Sequence, residues 1–298
     1  MSLQFLLDGL IAGSMIGLGA IGITLTYSIL RFSNFAHGDF MAWGTYAALT
    51  IVGALGGSTA LAPFSFGLPL VAALIVAMAL TALLALALDW ALFARLRARG
   101  QSIIVVMASF GASMALRSLL EFIFTSRPTY FSRAIQMAMP VGFGIKITAD
   151  QVALLVMTLV LVVAMHLFLS RSQRGREMRA YAQNPALAQV AGIDVDRVVR
   201  TTWIIGAALA CAAGVMVGIL VQIRPLMGLS LLLPVFAAAI LGGIGSVLGA
   251  VLGGLIIGLT EAAAVQFIGA EWRAAVSFAI LMAVLLVRPV GLFGVAER

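Results

Sequence analysis

The stretch PLMGLSLLLPVFAAAILGGIGSVLGAVLGGLIIGLT, residues 225–260, decides the fold class. It holds 36 residues and no charged side chain. A membrane-spanning helix needs about 20 apolar residues, so the stretch is too long for one helix and slightly short for two crossings with a turn. Pro and Gly interrupt its first half. It therefore predicts a short, broken or re-entrant helix at 230–245, followed by a full span at 247–267.

The rest of the chain is equally apolar. Hydrophobic residues make up 63% of the 298 residues and charged residues 10%, whereas a soluble domain is about 45–50% apolar and about 25% charged. This composition excludes a soluble enzyme, a disordered protein and a disulfide-framed domain. Charged residues bracket further candidate spans at about 9–30, 40–56, 67–90, 102–123, 151–169, 201–223 and 272–290. The sequence predicts an all-α, polytopic transmembrane helical bundle of eight to nine spans, forming one domain over residues 1–298.

The basic residues indicate the orientation of this bundle. The formal net charge is +7, from 18 Lys and Arg against 11 Asp and Glu. Arginines cluster in short loops at 95–99 and 170–200 rather than on one patch, which argues against nucleic acid as a partner. Cytoplasmic loops of membrane proteins carry such an excess, so both loops are predicted to be cytoplasmic and the N-terminus to lie outside. The C-terminus lies inside if 230–245 crosses the membrane, and outside if it only dips in.

One loop does not follow the rule that basic loops are cytoplasmic. Residues 124–150 hold three basic side chains, yet the count of spans places them outside. An interfacial helix is one interpretation of the length of this loop.

Glycines at four-residue spacing mark two helix faces that can approach a neighbour closely. They are Gly9, Gly13 and Gly17 in the first span, and Gly245, Gly249 and Gly253 near the end of the chain. Packing within the bundle is the favoured interpretation. A subunit interface or a close-packed gate is the alternative.

The segment RFSNFAHGDF, residues 31–40, places three polar side chains at a membrane boundary. Asn34, His37 and Asp39 are costly to bury unpaired, so we expect them to form a hydrogen-bonded cluster. Such a cluster braces two helices or shapes a polar path through the bundle. One His and one Asp are too few ligands for a metal site, and the sequence predicts no cofactor.

A glycine-rich run, LGGIGS at 241–246, is the second candidate region. Unwound backbone at membrane depth is tolerated where it lines a cavity or is buried in protein. We therefore expect Gly242, Gly243 and Gly245 to lie beside a path through the molecule. The run is not a nucleotide-binding loop, because it lacks the Lys-Ser/Thr ending of a P-loop.

The third candidate region is the loop at about 170–200. Asn184 and Pro185 form a helix start, and Gly192 is placed to end the short helix that follows. Leu187 and Val190 share one face of that helix, together with Ala191, by their spacing. The loop is either a docking element for a cytoplasmic partner or a basic segment that rests on anionic lipid. The residues alone do not decide between these two interpretations.

Four segments carry a resemblance to a known family. They are NFAHGDFMAWGTY (34–46), GREMRAYAQNPALAQVAGID (175–194), AAAILGGIGSVLGAVLGGLIIGLTE (237–261) and LLVRPVGLFG (285–294). Together they closely resemble membrane permease subunits of ABC importers for branched-chain amino acids, the LivH type. Related permeases serve urea, short amides and other small solutes, so the resemblance specifies the family better than the substrate.

The resemblance implies a transport subunit of the bacterial inner membrane that is not itself an enzyme. It implies ATP-driven alternating access, with branched-chain or related small amino acids as substrates. The implied partners are a second similar permease, two cytoplasmic ABC ATPases, a periplasmic substrate-binding protein and the membrane lipid.

The expected site residues fall into two groups, and only the second group, apart from Leu187, comes from the resemblance. The substrate pathway would include Asn34, His37, Asp39, Gly242, Gly243 and Gly245. The ATPase-coupling positions would be Arg176, Ala180, Asn184, Pro185, Leu187, Ala188, Gly192 and Ile193. Arg179-Ala180-Tyr181-Ala182 replaces the literal EAA triplet of this coupling element.

An ion-gradient-driven secondary transporter of small solutes is the alternative function. Such a protein is expected to place a paired carboxylate or a polar ion site deep in a span. The carboxylates that could form such a site instead lie at or near the ends of predicted spans: Asp8, Asp39, Asp89, Glu121, Asp150, Glu261 and Glu271. Arg117 and Glu121, four residues apart, are interpreted as an interfacial pair on one helix.

Overall fold

A computed structural model describes residues 3–56, 61, 63–100, 102–132, 136–142, 145–288 and 290–294. Helices dominate these residues. The helices of the first half are α1 (Gln4–Leu30), α2 (His37–Ala54), α3 (Leu68–Leu88), α4 (Ala94–Arg97) and α5 (Ser102–Phe124). Those of the second half are α6 (Ala149–Arg171), α7 (Gln173–Gln183), α8 (Pro185–Val190), α9 (Val195–Leu220), α10 (Met227–Gly242), α11 (Val247–Phe267) and α12 (Arg273–Val287).

Seven helical segments within the described residues are long and apolar enough to cross a membrane. They are α1, α3 with its continuation through α4, α5, α6, α9, α11 and Ala270–Val287. The helices α2 and α10 are shorter, with 18 and 16 residues. Together these segments confirm the expected polytopic all-α bundle.

The helices differ in how deeply they are buried in the bundle, although all of them are apolar. Helices α1 and α9 are buried on most of their surface, whereas α6 and α12 expose most of theirs. A helix that is apolar on every side suits either a protein core or a lipid environment. The sequence therefore identifies the spans but not which of them are central.

One end of the bundle carries most of the arginines, and we call it the arginine-rich end. The chain Leu88–Ala94 passes through one π-helical turn, and Phe93 stacks on Trp203 near the start of α9 with 5.3 Å between ring centroids. This contact brings α4 to the same end as α7 and α8. The arginines there are Arg95, Arg97, Arg99, Arg171, Arg174, Arg176, Arg179, Arg197 and Arg200.

The helices α2 and α10 both begin inside the bundle. His37 donates from Nε2 to the Gly19 carbonyl oxygen at 3.1 Å, a level roughly 16 Å before the end of α1 at 1.5 Å per residue. Gly38 touches Gly228 so closely that a Cβ on either would overlap the other's backbone. The two helices then run to opposite ends, so two helix starts meet at mid-bundle.

The segment at 230–245 differs in detail from the expectation. The helix α10 begins at Met227, continues through Pro234 and ends at Gly242. Proline removes only one backbone hydrogen bond there, whereas Gly243 and Gly245 adopt positive φ of 95° and 91° and end the helix. The helix is therefore continuous from Met227 to Gly242, and the non-helical backbone lies before and after it.

The C-terminal segment lies at the arginine-rich end. Leu292 N–H donates to the Leu241 carbonyl at 2.8 Å, and Phe293 N–H donates to the Gly242 carbonyl at 3.1 Å. These bonds satisfy the carbonyls left open where α10 ends. The helix α10 therefore completes its run to that end, and residues 290–294 lie there with it.

The glycine stripe of α1 packs inside the molecule. A Cβ at Gly13 would meet the backbone of Gly254 and Leu255 at 2.8 Å, and Gly258 contacts Gly13 more closely still. Phe5 and Phe267, at the far ends of α1 and α11, stack edge to face at 5.8 Å. Antiparallel packing of α1 on α11 confirms the intramolecular interpretation of this stripe.

The loop at 124–150 contains a short β-hairpin where an interfacial helix was one interpretation. Strand β1 (Met139–Gly142) pairs antiparallel with β2 (Ile145–Ile147). Gln4 holds the hairpin through two bonds: its Nε2 donates to the Lys146 carbonyl at 3.1 Å, and its Oε1 accepts from Lys146 N–H at 2.9 Å. The basic loop is thus fastened to the start of α1, at the end opposite the arginine-rich one.

Candidate functional site

A buried ion pair lies where α2 begins. Asp39 is 2% exposed, and its Oδ1 lies 3.3 Å from Nε of Arg117 on α5. Ser113 also donates to Asp39, and it accepts from Arg117 at 3.1 Å. A buried carboxylate is tolerated when it is paired and hydrogen-bonded. This network fastens α2 to α5.

The expected mutual cluster of Asn34, His37 and Asp39 is wrong. The Asn34 side chain accepts from the Ala36 N–H at 3.1 Å, and the His37 side chain bonds to α1 rather than to the side chains of Asn34 or Asp39. Residues two apart on a helix do not face each other, so His37 and Asp39 reach different helices. Each of the three polar residues is buried. Among the described residues, Asn34 Nδ2 has no hydrogen-bond acceptor.

The glycine run at 242–245 forms the turn between α10 and α11. Gly242 packs against Gly249, and Gly243 against Gly294. The Gly245 N–H donates to Thr24 Oγ1 of α1 at 2.7 Å. Gly245 also borders a cavity of about 220 Å³ that reaches Arg179 on α7. The structure therefore brings Gly245, but not Asn34, His37 or Asp39, to this cavity.

The larger cavity lies at the opposite end of the bundle and measures about 620 Å³. Its walls come from α1, the segment from α9 into α10, and α11. None of the six residues expected on a substrate pathway lines it. Sequence reasoning missed this cavity, because its residues come from segments about 200 residues apart.

The capped element at 170–200 forms as its sequence predicts. The Asn184 side chain accepts from Leu187 N–H at 3.0 Å, and Pro185 occupies the first turn of α8. Gly192 adopts φ of +83° just beyond α8, and Asp194 caps α9. The expected short helix and its caps are confirmed.

The apolar face of α8 is open to the surroundings. Leu187 is 65% exposed and Val190 is 86% exposed, whereas Ala188 turns inward and is buried. Arg176, Ala180, Asn184 and Gly192 are exposed as well, and Pro185 and Ile193 are half-buried. Except for Ala188, the expected coupling residues thus lie at least partly on the surface of the arginine-rich end.

Three contacts mount α7 on the bundle. Gly175 packs against the backbone of Phe168 and Leu169 at the end of α6, where a Cβ would overlap. Met178 is buried beneath α7. The Arg31 guanidinium, at the end of α1, donates to the Ala182 carbonyl at 2.8 Å. The helix α7 is thus attached both to α6 and to the end of α1.

Comparisons with known proteins agree with this architecture. The family model described as branched-chain amino acid transport system / permease component matches residues 5–285. The chain belongs to this permease family. The permease is 34% identical over 304 residues to the high-affinity branched-chain amino acid transport system permease protein LivH of Escherichia coli (strain K12), covering 99% of this chain and 96% of that protein.

Further relatives show the same match along their length. The permease is 33% identical over 307 residues to the corresponding protein BraD of Pseudomonas aeruginosa, with 99% and 96% of the two chains covered. Among solved structures, it resembles PsaBC from Streptococcus pneumoniae in complex with Fab, with a TM-score of 0.51 at 14% identity, covering 96% of this chain and 92% of that chain. This last likeness concerns the fold alone.

Family membership makes the protein a multi-pass inner-membrane transport subunit and not an enzyme. Permeases of this family work with ATPases and a substrate-binding protein. Two carboxylates lie deeper than their positions near predicted span ends suggested: Asp39, and Glu261 at 1% exposure. Each is paired with an arginine, Asp39 with Arg117 and Glu261 with Arg273 at 2.7 Å. Membership of the permease family, and not these two pairs, disfavours the gradient-driven alternative.

The permease holds several polar contacts that sequence reasoning missed. Arg117 was expected to pair with Glu121 but reaches Asp39. Glu261 accepts from both Arg273 and Ser277 of α12. Asp150 accepts from Ser65 and Gln136, which joins two loops at the end opposite the arginines. The sequence shows only that these charged residues lie near apolar runs. It does not show which residue each of them contacts.

Proposed function

We propose that the permease moves branched-chain or related small amino acids across the inner membrane, driven by ATP hydrolysis in separate subunits. The observation that carries the proposal is α8, a capped helix that presents Leu187 and Val190 outward at the arginine-rich end. An exposed apolar face on a soluble loop indicates a protein partner. The names of the relatives supply the substrate class.

The complete importer is proposed to contain a second similar permease, two cytoplasmic ABC ATPases and a periplasmic substrate-binding protein, set in membrane lipid. The arginine-rich end is then cytoplasmic, in keeping with the excess of basic residues there. The coupling element spans about 170–200. Its contacts would involve Arg176, Ala180, Asn184, Pro185, Leu187, Ala188, Gly192 and Ile193.

Alternating access follows from how this element is mounted. When ATP closes the ATPase pair, α8 moves with its docking groove, and α7 transmits the movement to the bundle. Its contacts with α6 and with the end of α1 favour a tilt of these helices together with α9. Binding energy at one face thus changes the packing at mid-bundle, where α2 and α10 meet.

The pathway residues take different parts in this proposal. Asp39 and His37 brace the start of α2 against α5 and α1, and Asn34 lies beside them. Gly242 and Gly243 allow the close turn after α10, while Gly245 borders the cytoplasmic cavity. The bracing role of Asp39 and His37 is supported by their separate partners on α5 and α1. The Asn34 side chain accepts only from the nearby Ala36 N–H.

The test of the coupling surface is Leu187→Asp in the fully assembled importer. A charge on the apolar face should abolish ATP-driven uptake and the stimulation of ATPase activity by loaded binding protein, because burying an unpaired carboxylate is costly. Uptake into proteoliposomes and phosphate release are the two measurements.

Gln189→Asp is the matched control, because it places the same charge on another face of α8. It should retain most of both activities. Full uptake and full stimulation in Leu187→Asp would refute the docking role of this face.

A further inference from the structure

The 620 Å³ cavity opposite the arginine-rich end is the feature that the proposed function does not use. Small-molecule sites typically occupy about 300–1,000 Å³. The described residues around this cavity come from α1, α9, α10, α11 and α12, and Gln151 of α6 also borders it. A single chain thus forms a half-open cavity of ligand size at the outer end of the bundle.

The walls of the cavity are largely aliphatic. Ile11 and Met15 on one face of α1 line the cavity, and both are otherwise buried. Leu220 at the end of α9 and Leu231 near the start of α10 also line it. Such walls suit a branched or linear apolar side chain, because transfer of each CH₂ from water is worth about 0.8 kcal/mol in general.

Charges of both signs border the same cavity. Arg224 is exposed there, and no described residue accepts a hydrogen bond from its guanidinium. Asp8 is exposed and accepts only from Gln4 Nε2, at 3.1 Å, among the described residues. The other pair at the cavity, Glu261 with Arg273, is already joined at 2.7 Å. One cation and one anion are therefore available to a ligand.

We propose that this cavity binds a zwitterionic amino acid with an apolar side chain, as the station from which the permease receives its substrate. Arg224 holds the α-carboxylate, Asp8 holds the α-ammonium group, and the side chain lies among Ile11, Met15 and Leu231. The proposal rests on the proposed function and adds a defined site to it. In this proposal the substrate contacts the cavity residues and not the buried network of Asp39, Ser113 and Arg117.

Thiol labelling tests occupancy directly. Cys211 is the only cysteine of the chain and is fully buried, so Ser230→Cys and Ala12→Cys place single reactive thiols on the cavity wall. The whole importer in lipid nanodiscs is treated with a membrane-impermeant methanethiosulfonate, with and without L-leucine. Leucine should slow the labelling of both variants.

The controls address position and chemistry. Met137→Cys lies on the outer loop, 91% exposed and away from the cavity, and leucine should leave its labelling unchanged. Leucinamide lacks the carboxylate and 4-methylpentanoate lacks the ammonium group, so each should protect less than leucine. Equal protection by all three compounds, or no labelling of the cavity thiols at all, would overturn the proposal.

Arg224→Gln on the Ser230→Cys background tests the carboxylate contact. Loss of one charge-assisted hydrogen bond should raise the half-protecting leucine concentration roughly tenfold. Arg224→Lys should recover part of the loss, and Arg127→Gln on the same outer side should change nothing. An unchanged half-protecting concentration in Arg224→Gln would refute the assignment.

Failure here is distinguishable from failure of the proposed function. ATPase stimulation by loaded binding protein is measured in the same nanodiscs. Intact stimulation without leucine protection would remove this site and leave the importer assignment standing. Loss of partner ATPases from the purified complex would instead count against the importer assignment itself.

Discussion

Charged residues inside this bundle come with partners. Asp39 pairs with Arg117, and Glu261 pairs with Arg273. Burying one charge alone costs several kcal/mol, whereas a paired and hydrogen-bonded set is tolerated. Each pair also joins two helices, so a local electrostatic requirement fixes a long-range contact.

Arg117→Gln should therefore destabilise the permease. It leaves the Asp39 carboxylate buried without its counter-charge, at a cost of about 3 kcal/mol. The unfolding temperature of the purified protein should fall clearly. The double variant Asp39→Asn with Arg117→Gln should recover much of that loss, because no unpaired charge remains. If the double variant is no more stable than the single one, the pair is not what holds α2 to α5.

Sequence reasoning found these residues but not their contacts. Arg117 and Glu121 share a helix face at four-residue spacing, which suggested a pair between them. Asp39 lies 78 residues before Arg117 in the chain, and only the packing of α2 on α5 brings them together. The cavity at Arg224 and Asp8 was missed for the same reason. The two residues are far apart in the sequence, and their spacing does not indicate that they border one cavity.

At the scale of elements, backbone signals were the most informative. The cap at Asn184, the proline after it and the positive φ of Gly192 define α8 as expected. Local hydrogen bonding decides such features, so they can be derived from neighbouring residues. The ends of α10 were harder to predict, because Pro234 suggested a break that the helix does not have.

Asn184→Ala should weaken the coupling element without removing its apolar face. Loss of an N-cap costs about 1 kcal/mol, which is large for a helix of 6 residues. We expect uptake per ATP hydrolysed to fall, while Asn184→Asp retains the cap and the activity. Equal coupling ratios in Asn184→Ala and the parent protein would show that α8 needs no cap in the assembled importer.

Gly258→Ala should separate α1 from α11. Its new methyl group would overlap the backbone of Gly13, so the helices must move apart and lose contacts along their length. The unfolding temperature and the yield of folded protein should both fall.

Gly111→Ala is the matched control on α5. No atom beyond the local backbone of α5 lies within 4 Å of the added carbon there, and alanine favours the helix by up to about 1 kcal/mol. This variant should be as stable as the parent protein or slightly more so. A stability loss of similar size in both variants would contradict the close-packing argument.

At the scale of the whole molecule, the bundle has two distinct ends. One carries the arginines, α7, α8 and residues 290–294, and the other carries the β-hairpin and the larger cavity. Composition and charge-free runs predicted this polytopic helical bundle well, because hydropathy constrains spans strongly. The order of packing within it was not predictable, since every span is apolar on all sides.

Cysteine accessibility should report this polarity in membrane vesicles. Val290→Cys is expected to react with an impermeant thiol reagent only in inside-out vesicles. Met137→Cys should react only in right-side-out vesicles. The buried Cys211 keeps the background low. Labelling of Val290→Cys from the same side as Met137→Cys would reverse the assignment of the C-terminal segment.

The packing of α1 on α11 also has a consequence for biosynthesis. Gly13 leaves the ribosome about 245 residues before its partner Gly258, which is roughly 12–50 s at a synthesis rate of about 5–20 residues per second. During that interval the glycine stripe of the first span is without its partner helix. A nascent chain that stops before α11 therefore leaves the glycine face of α1 uncovered. This uncovered face is a feature by which membrane quality control can recognise an incomplete chain.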